Sequence, residues 1–365
     1  MSVNDELLDA SIAHQIDLQY YSNGVVSRII ALLNKTDADL FLQLQSALER
    51  LPASQFSVER LDSMLYSLRL INAQAYNTVT NEINNELKQL VTYEAGHQYQ
   101  LFESTIPVAY STQTVVIEQV YAAALARPFQ GKLLKEWMAG LEIDKATRIR
   151  DAIRMGYVEN QTIPQIVKRI RGTRALQYQD GIIDITRRNA ETVVRTAIGH
   201  TASFTKNRFY EANEGVIKAL KWHSTLDSRT SEPCRARDGK LYTLSKKPIG
   251  HTLSWGGGAG AFHFNCRSSS VAITKSWQEL GIDADELSPG TRASMDGQLP
   301  EDVTYGDWLK KKPAQFQDDI LGVTKGKLFR AGLEIDRFSN NSGKSYTLDQ
   351  LRERDAYYFK KAGIN

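Results

Sequence analysis

The stretch Trp222–Ile273, WHSTLDSRTSEPCRARDGKLYTLSKKPIGHTLSWGGGAGAFHFNCRSSSVAI, decides how the rest of the chain reads. Both cysteines, Cys234 and Cys266, fall inside it, together with three of the six histidines, His223, His251 and His263. At Val216, just ahead of it, the apolar spacing changes from steps of three and four to alternation, so VIKALKWHS predicts a short strand. Leu226-Asp227-Ser228-Arg229-Thr230 is rich in turn residues. Asp238-Gly239, between Arg237 and Lys240-Leu241-Tyr242, carries the signature of a two-residue hairpin turn. The glycines of Trp255–Gly260 are followed by Ala261-Phe262-His263 rather than Lys-Ser or Lys-Thr, and no helix pattern starts there. They make neither a P-loop nor a dinucleotide fingerprint and read as a flexible hairpin tip. The stretch is therefore expected to be a small, loop-rich α+β unit.

Working outward towards the N-terminus, the pattern is helical throughout. Leu7, Leu8, Ile12, Ile16 and Tyr20 line one helix face. Asn23-Gly24 punctuates before VVSRIIALLNK, Asp37 is placed to cap ADLFLQLQSALERL, and Pro52 stops that run. From Ser57, an apolar stripe through Leu61, Leu65, Leu68, Tyr76, Val79, Ile83 and Leu90 predicts one helix of about 35 residues. Pro107 interrupts, Arg127-Pro128-Phe129-Gln130-Gly131 makes a turn before KLLKEWMAGLE, and Gly156 ends a helix that begins at Asp144. Thr162 caps a helix with Pro164 in its first turn. The strongest stripe, Ala190, Val193, Val194, Ala197 and Ile198, lies in ITRRNAETVVRTAIGHTASFTKNRFYEAN. Between Lys168 and Arg195 the cations Lys168, Arg169, Arg171, Arg174, Arg187, Arg188 and Arg195 outnumber the acids. They are the candidates for sequence-independent contact with a phosphate backbone, weighed against an ordinary solvated helix face.

After the central stretch come Lys275–Leu280 as a short helix and a linker rich in Ser, Gly, Asp and Pro as far as Pro300. A helix opens at Thr304, Pro313 breaks it, and Gln315–Leu321, TKGKLFRAG and a last helix capped by Thr347 follow. Tyr305 and Trp308 offer aromatic anchors for a partner or for packing back on the domain.

Composition bounds the function. The chain has 365 residues, 42% apolar and 24% charged, with net charge +3. That is enough for two or three domains with real cores and too mild a charge to imply nucleic-acid binding by itself. No apolar run reaches the roughly 18–20 residues of a membrane span, and MSVNDELLDASIAHQ lacks the order of a secretory signal. Two cysteines make no disulfide framework, which suits synthesis in a reducing cytoplasm.

A set of separated motifs carries a resemblance. Trp222, Leu226-Asp227-Ser228-Arg229-Thr230, Cys234, Asp238-Gly239-Lys240-Leu241-Tyr242 and His263-Phe264-Asn265-Cys266-Arg267-Ser268 occur in the order found in phage Mu F-like, or SPP1 gp7-like, minor head morphogenesis proteins. The likeness covers about Arg187 to Ile273, with Phe262 where that family often has proline. Asp296-Gly297 and Tyr305-Gly306-Asp307-Trp308-Leu309 extend it weakly. The resemblance implies a structural protein of the virion rather than an enzyme, made in the host cytoplasm and placed in the capsid at the portal vertex. It further implies contact with the portal protein, with a major capsid or scaffolding protein and with genomic double-stranded DNA. Assembly as a homo-oligomer around the portal and a part in DNA packaging or ejection follow from the same likeness. The expected division is a helical region at 1–185 for docking, the Mu F-like domain at 186–275, and a linker with a short helical tail at 276–365.

The residues of the cluster allow several chemistries. Cys234, His263 and Cys266, with His251 or Asp227 as a fourth ligand, suit a structural zinc. Cys234 and Cys266 are also a possible disulfide in a mature particle. The leading expectation is no cofactor, with the cysteines as buried small hydrophobes and His263 as a hydrogen-bonding group. Asp227 and Arg229 are then expected to tie the turn, the carboxylate accepting a backbone N–H two residues on. A metal-dependent nuclease built on Asp227, Cys234, His263 and Cys266 is the enzymatic alternative.

Overall fold

The computed structural model describes residues 3–50, 58–106, 110–276, 279–280, 291–300 and 302–364. The expected helix breaks at Pro52, Ser57 and Pro107, the Trp277-Gln278 part of the short helix and linker residues 281–290 lie outside them. The fold is α+β: long helices first, then a small antiparallel sheet, then short helices. The chain divides into two compact units that are not consecutive segments. One comprises Gln19–Leu90 and Tyr121–Thr201, the other Met1–Leu18, Val91–Val120 and Ala202–Asn365. The boundary expected at 185 falls within α6 (Ile182–Ala212), which like α1 (Val3–Glu49) and α2 (Val58–Thr105) contributes residues to both units, and the one expected at 275 lies inside the unit that holds Ala202–Asn365.

The first unit is helical. To its parts of α1 and α2 it adds α3 (Ile117–Ala126, from Tyr121), α4 (Leu134–Val158), α5 (Ile163–Arg171) and α6 as far as Thr201. Its core joins Leu40, Leu44 and Leu48 to Leu65 and Leu68, and these to Ile149, Ile153, Ile166, Ile170 and Ile183. Helix periodicity was read correctly, but several ends were not. Asn23-Gly24 does not interrupt α1, since Val25, Val26 and Ile29 beside it are buried and outweigh the roughly 1 kcal/mol cost of glycine in a helix. Asp37 caps nothing: it is buried within α1, paired with Lys145 and with Arg187 at 3.1 Å. The helix from Val58 runs 48 residues rather than about 35. Gly156 does not end α4 but stands where the Ile166 side chain comes so close that an added Cβ would lie 2.4 Å from it. The turn at Phe129–Lys132 is present, with Gln130 and Gly131 both at positive φ.

The second unit holds the sheet. β1 (Ile217–His223) is followed by α7 (Glu232–Arg237), β2 (Leu241–Tyr242), β3 (Pro248–Ile249) and β4 (Ser269–Thr274). The strand order is β3-β2-β1-β4, antiparallel throughout, and β1 registers against β4 from His223↔Ser269 to Ile217↔Thr274 with a bulge near Ile217. Leu7 of α1, Phe102 of α2 and Phe209 and Tyr210 of α6 share one core with Leu220, Trp222, Tyr242 and Trp255. Asp238-Gly239 is not the predicted hairpin turn. It leads the chain out of α7 back to β1, with the Gly239 N–H donating to the Trp222 carbonyl at 2.9 Å. The tight hairpin joins β2 to β3, with Lys246 at φ +68°. Nor is the glycine run a flexible tip: Gly258 at φ +90° sits against the Trp255 ring, Gly256 against Phe262, and Ala259 is fully buried.

The tail completes this unit with β5 (Thr291–Ser294) and β6 (Gly297–Pro300), then α8 (Tyr305–Lys310), α9 (Ala314–Leu321), α10 (Val323–Arg330), α11 (Leu348–Arg354) and α12 (Ala356–Lys361). Thr347 caps its helix as expected and Thr304, where a helix was expected to open, caps that one too, each hydroxyl accepting a backbone N–H. Of the two uses weighed for Tyr305 and Trp308, the fold takes the inward one: both are buried, with Leu226, Leu328, Phe338 and Phe359 around them.

Candidate functional site

Two short pieces of chain deliver the cysteine and histidine side chains to one point. Ser231 precedes α7, Pro233 occupies its first turn, and Cys234 follows on the helix, its N–H bonded to the Ser231 carbonyl. His263 and Cys266 come from the loop between the packed glycines and β4, where the Cys266 N–H donates to the His263 carbonyl and Asn265 takes φ +56°. A left-handed residue there turns the chain so that side chains three apart face the same way. Among the described residues, Cys234, His263 and Cys266 are the only group of three or more potential metal ligands, their donor atoms all within 4.8 Å of one another.

The geometry is specific. Cys234 Sγ lies 3.8 Å from Cys266 Sγ and 3.2 Å from His263 Nε2. Ser231 Oγ is 2.7 Å from the same ring nitrogen, and His263 Nδ1 is 2.8 Å from the Phe264 carbonyl. Both cysteines are buried and not joined to each other, and His263 is half-buried. The Cys234 thiol bonded to Cys266 holds the Cys266 thiol well below its ordinary value, with His263 adding to the effect. The same bond, together with burial, pushes Cys234 up. Burial opposes a charge on His263, yet the Cys266 sulfur outweighs it and raises the imidazole.

The other expected members separate from this point. Asp227 does accept the Arg229 N–H two residues on, at 3.0 Å. The planar fork that grips its carboxylate belongs to Arg267, at 2.6 and 2.8 Å, whereas the Arg229 side chain is largely exposed and 3.8 Å away. Burial alone would raise Asp227, but the Arg267 bonds hold it below the usual carboxylate value. His251 is engaged elsewhere, Nε2 with the Leu241 carbonyl at 2.8 Å and Nδ1 with the Leu253 N–H at 3.2 Å.

The candidate cations also divide. Arg187 reaches Asp37, Arg169 pairs with Glu159 at 2.6 Å, Arg188 with Asp184 at 2.9 Å, and Arg195 with Glu191 at 2.8 Å. Lys168, Arg171 and Arg174 are exposed near the end of α5, with Arg171 over the Tyr178 ring.

Several residues around the cluster had no signal in the sequence. Arg237 is fully buried and donates to the carbonyls of Pro233, Ser254 and Asn341, each at 2.9 Å, while its guanidinium lies 4.2 Å from the Phe262 ring. Ser224 takes the Trp222 indole N–H and donates to the Cys234 carbonyl. Asp238 accepts the N–H groups of Ser224 and Tyr305, both at 2.7 Å. In the sequence Arg237 stands beside Asp238 and two residues after Arg235, and nothing there distinguishes a buried guanidinium from a solvated one.

Residues 145–271 match the family model described as phage Mu protein F like protein. The matched span begins within α4 and ends in β4, so it contains α5, α6, the cluster and most of the sheet. The resemblance carried by the cysteine and histidine motifs is thus found again by a family model, over about a third of the chain. No curated protein and no solved structure matches the chain.

Proposed function

We propose that the chain is a structural component of a tailed-phage head, a minor capsid protein that works by adhesion at the portal vertex and not by catalysis. The observation that carries this reading is the family match over the motif-bearing region. Two features support it. The helical unit leaves Tyr20, Leu42, Tyr66 and Leu70 exposed on α1 and α2, side chains of the kind that anchor protein interfaces. The group best placed for catalysis is also poorly suited to hydrolysing DNA. Its donors are two thiols and an imidazole, and Asp227, the carboxylate a nuclease would need, is spent on Arg267. No helix of the described residues is long and apolar enough to cross a membrane.

In this reading α1 and α2 lie on the portal or a capsid partner, and Lys168, Arg171 and Arg174 approach the packaged genome. Co-purification of the chain with the portal protein, and its presence in purified particles by mass spectrometry, are the expected results. Loss of portal binding on charging the exposed face (Tyr20→Glu with Leu42→Glu) locates the contact. Absence from particles together with cutting of plasmid DNA in Mg²⁺, Mn²⁺ or Zn²⁺, abolished by His263→Ala, would replace the structural reading with the nuclease.

A further inference from the structure

We propose that Cys234, His263 and Cys266 bind one Zn²⁺ ion, which holds α7 to the loop before β4. The proposal rests on the distances among these side chains and stands whether or not the chain works at a portal. Two thiolates each about 2.3 Å from a zinc, at the tetrahedral angle, stand about 3.8 Å apart, and a thiolate and an imidazole nitrogen about 3.5 Å apart. Cys234 Sγ and Cys266 Sγ are separated by 3.8 Å, and Cys234 Sγ and His263 Nε2 by 3.2 Å. Two edges of a zinc tetrahedron's face are thus already at length, and the third, between Cys266 and His263, lies within 4.8 Å.

The surroundings are those of a ligand set. The Phe264 carbonyl faces His263 Nδ1, which fixes the proton there and leaves the Nε2 lone pair facing the sulfurs, the outer-shell arrangement of metal-bound histidines. Two soft sulfurs and an imidazole select zinc over magnesium, calcium or manganese. The fourth position faces Ser231, whose hydroxyl now lies 2.7 Å from Nε2. On binding, the two thiols lose their protons to solvent and the Ser231 hydroxyl, or a water beside it, completes the coordination. His251 is not a ligand, because both its nitrogens serve the backbone of the β2–β3 region.

The full chain, purified with reductant and without chelator, is expected to carry about one zinc per molecule by elemental analysis. Replacing the zinc with Co²⁺ should give the intense thiolate-to-cobalt charge-transfer band and the visible bands of a tetrahedral site. Cys266→Ser and His263→Ala should each cut the zinc content about tenfold. The Co²⁺ spectrum of the unmutated chain answers the question even if a variant fails to fold. Zinc well below one per chain with no charge-transfer band would overturn the proposal. So would zinc retained in both variants.

Discussion

At the scale of single residues, burial decides what an ionisable group does. His200, on α6, is buried beside Phe129, and burial, with the Arg127 charge adding to it, lowers its pKa from the usual 6.5 to about 4. The unfolded chain therefore binds a proton that the folded chain refuses between those two values. Stability should fall as pH drops below about 6.5 and this contribution should level off near pH 4, with a total loss on the order of 3 kcal/mol. Urea denaturation of the unmutated chain and of His200→Leu across this range checks it, and the variant should show the shallower dependence. Equal slopes would mean that other groups carry the acid sensitivity. The residue scale is also where the sequence was least legible. Cysteines and histidines advertised their chemistry, and their convergence followed from the fold. Arg229 and Arg267 are equivalent on paper as partners for Asp227, and only the path of the chain into β4 chooses Arg267.

At the scale of elements, apolar periodicity survived the passage to three dimensions and punctuation did so only in part: the turn at Phe129–Lys132 and the cap at Thr347 held. The stripe of α6 is buried as read, and so is that of α2 at Leu65, Leu68, Tyr76, Val79, Ile83 and Leu90. The signals that failed, Asn23-Gly24, Asp37, Gly156 and Asp238-Gly239, are all small or turn-forming residues whose role depends on what packs against them. Gly156 shows the physics most plainly. It permits α5 to approach α4 at Ile166, so Gly156→Ala trades a better helix former for a clash. The expected result is a loss of about 1–3 kcal/mol in thermal or urea unfolding, against the gain of roughly 1 kcal/mol that an exposed helical glycine would give. Gly156→Ala combined with Ile166→Ala should cost less than the sum of the two single changes, since removing Cγ1 and Cδ1 vacates the space.

At the scale of the whole molecule, the mild net charge conceals local structure. Four of the seven candidate cations already serve carboxylates of their own unit, so any grip on DNA falls mainly to Lys168, Arg171 and Arg174. Binding to duplex DNA, followed by fluorescence anisotropy over a range of salt, should weaken steeply with ionic strength. Replacing the three with Ala should reduce the slope of log K against log salt by up to about three, one per lost phosphate contact, with no change in sequence preference. An unchanged slope would assign the phosphate contacts to other cations. The α+β class was legible at this scale because long helical stripes and one alternating strand are strong signals. The composition of the two units was not, because helices that contribute to both leave no mark in the sequence where one ends and the next begins.

The carboxylate of Asp238 has one oxygen on the Ser224 N–H and the other on the Tyr305 N–H. A single side chain thereby stitches the strand–helix junction to the start of α8, and the Tyr305 hydroxyl answers by donating to the Asp227 carbonyl. The C-terminal helices are consequently a lid that the central domain is built to wear: trimming them would strip two buried acceptors of their donors and lay Leu226 bare to water.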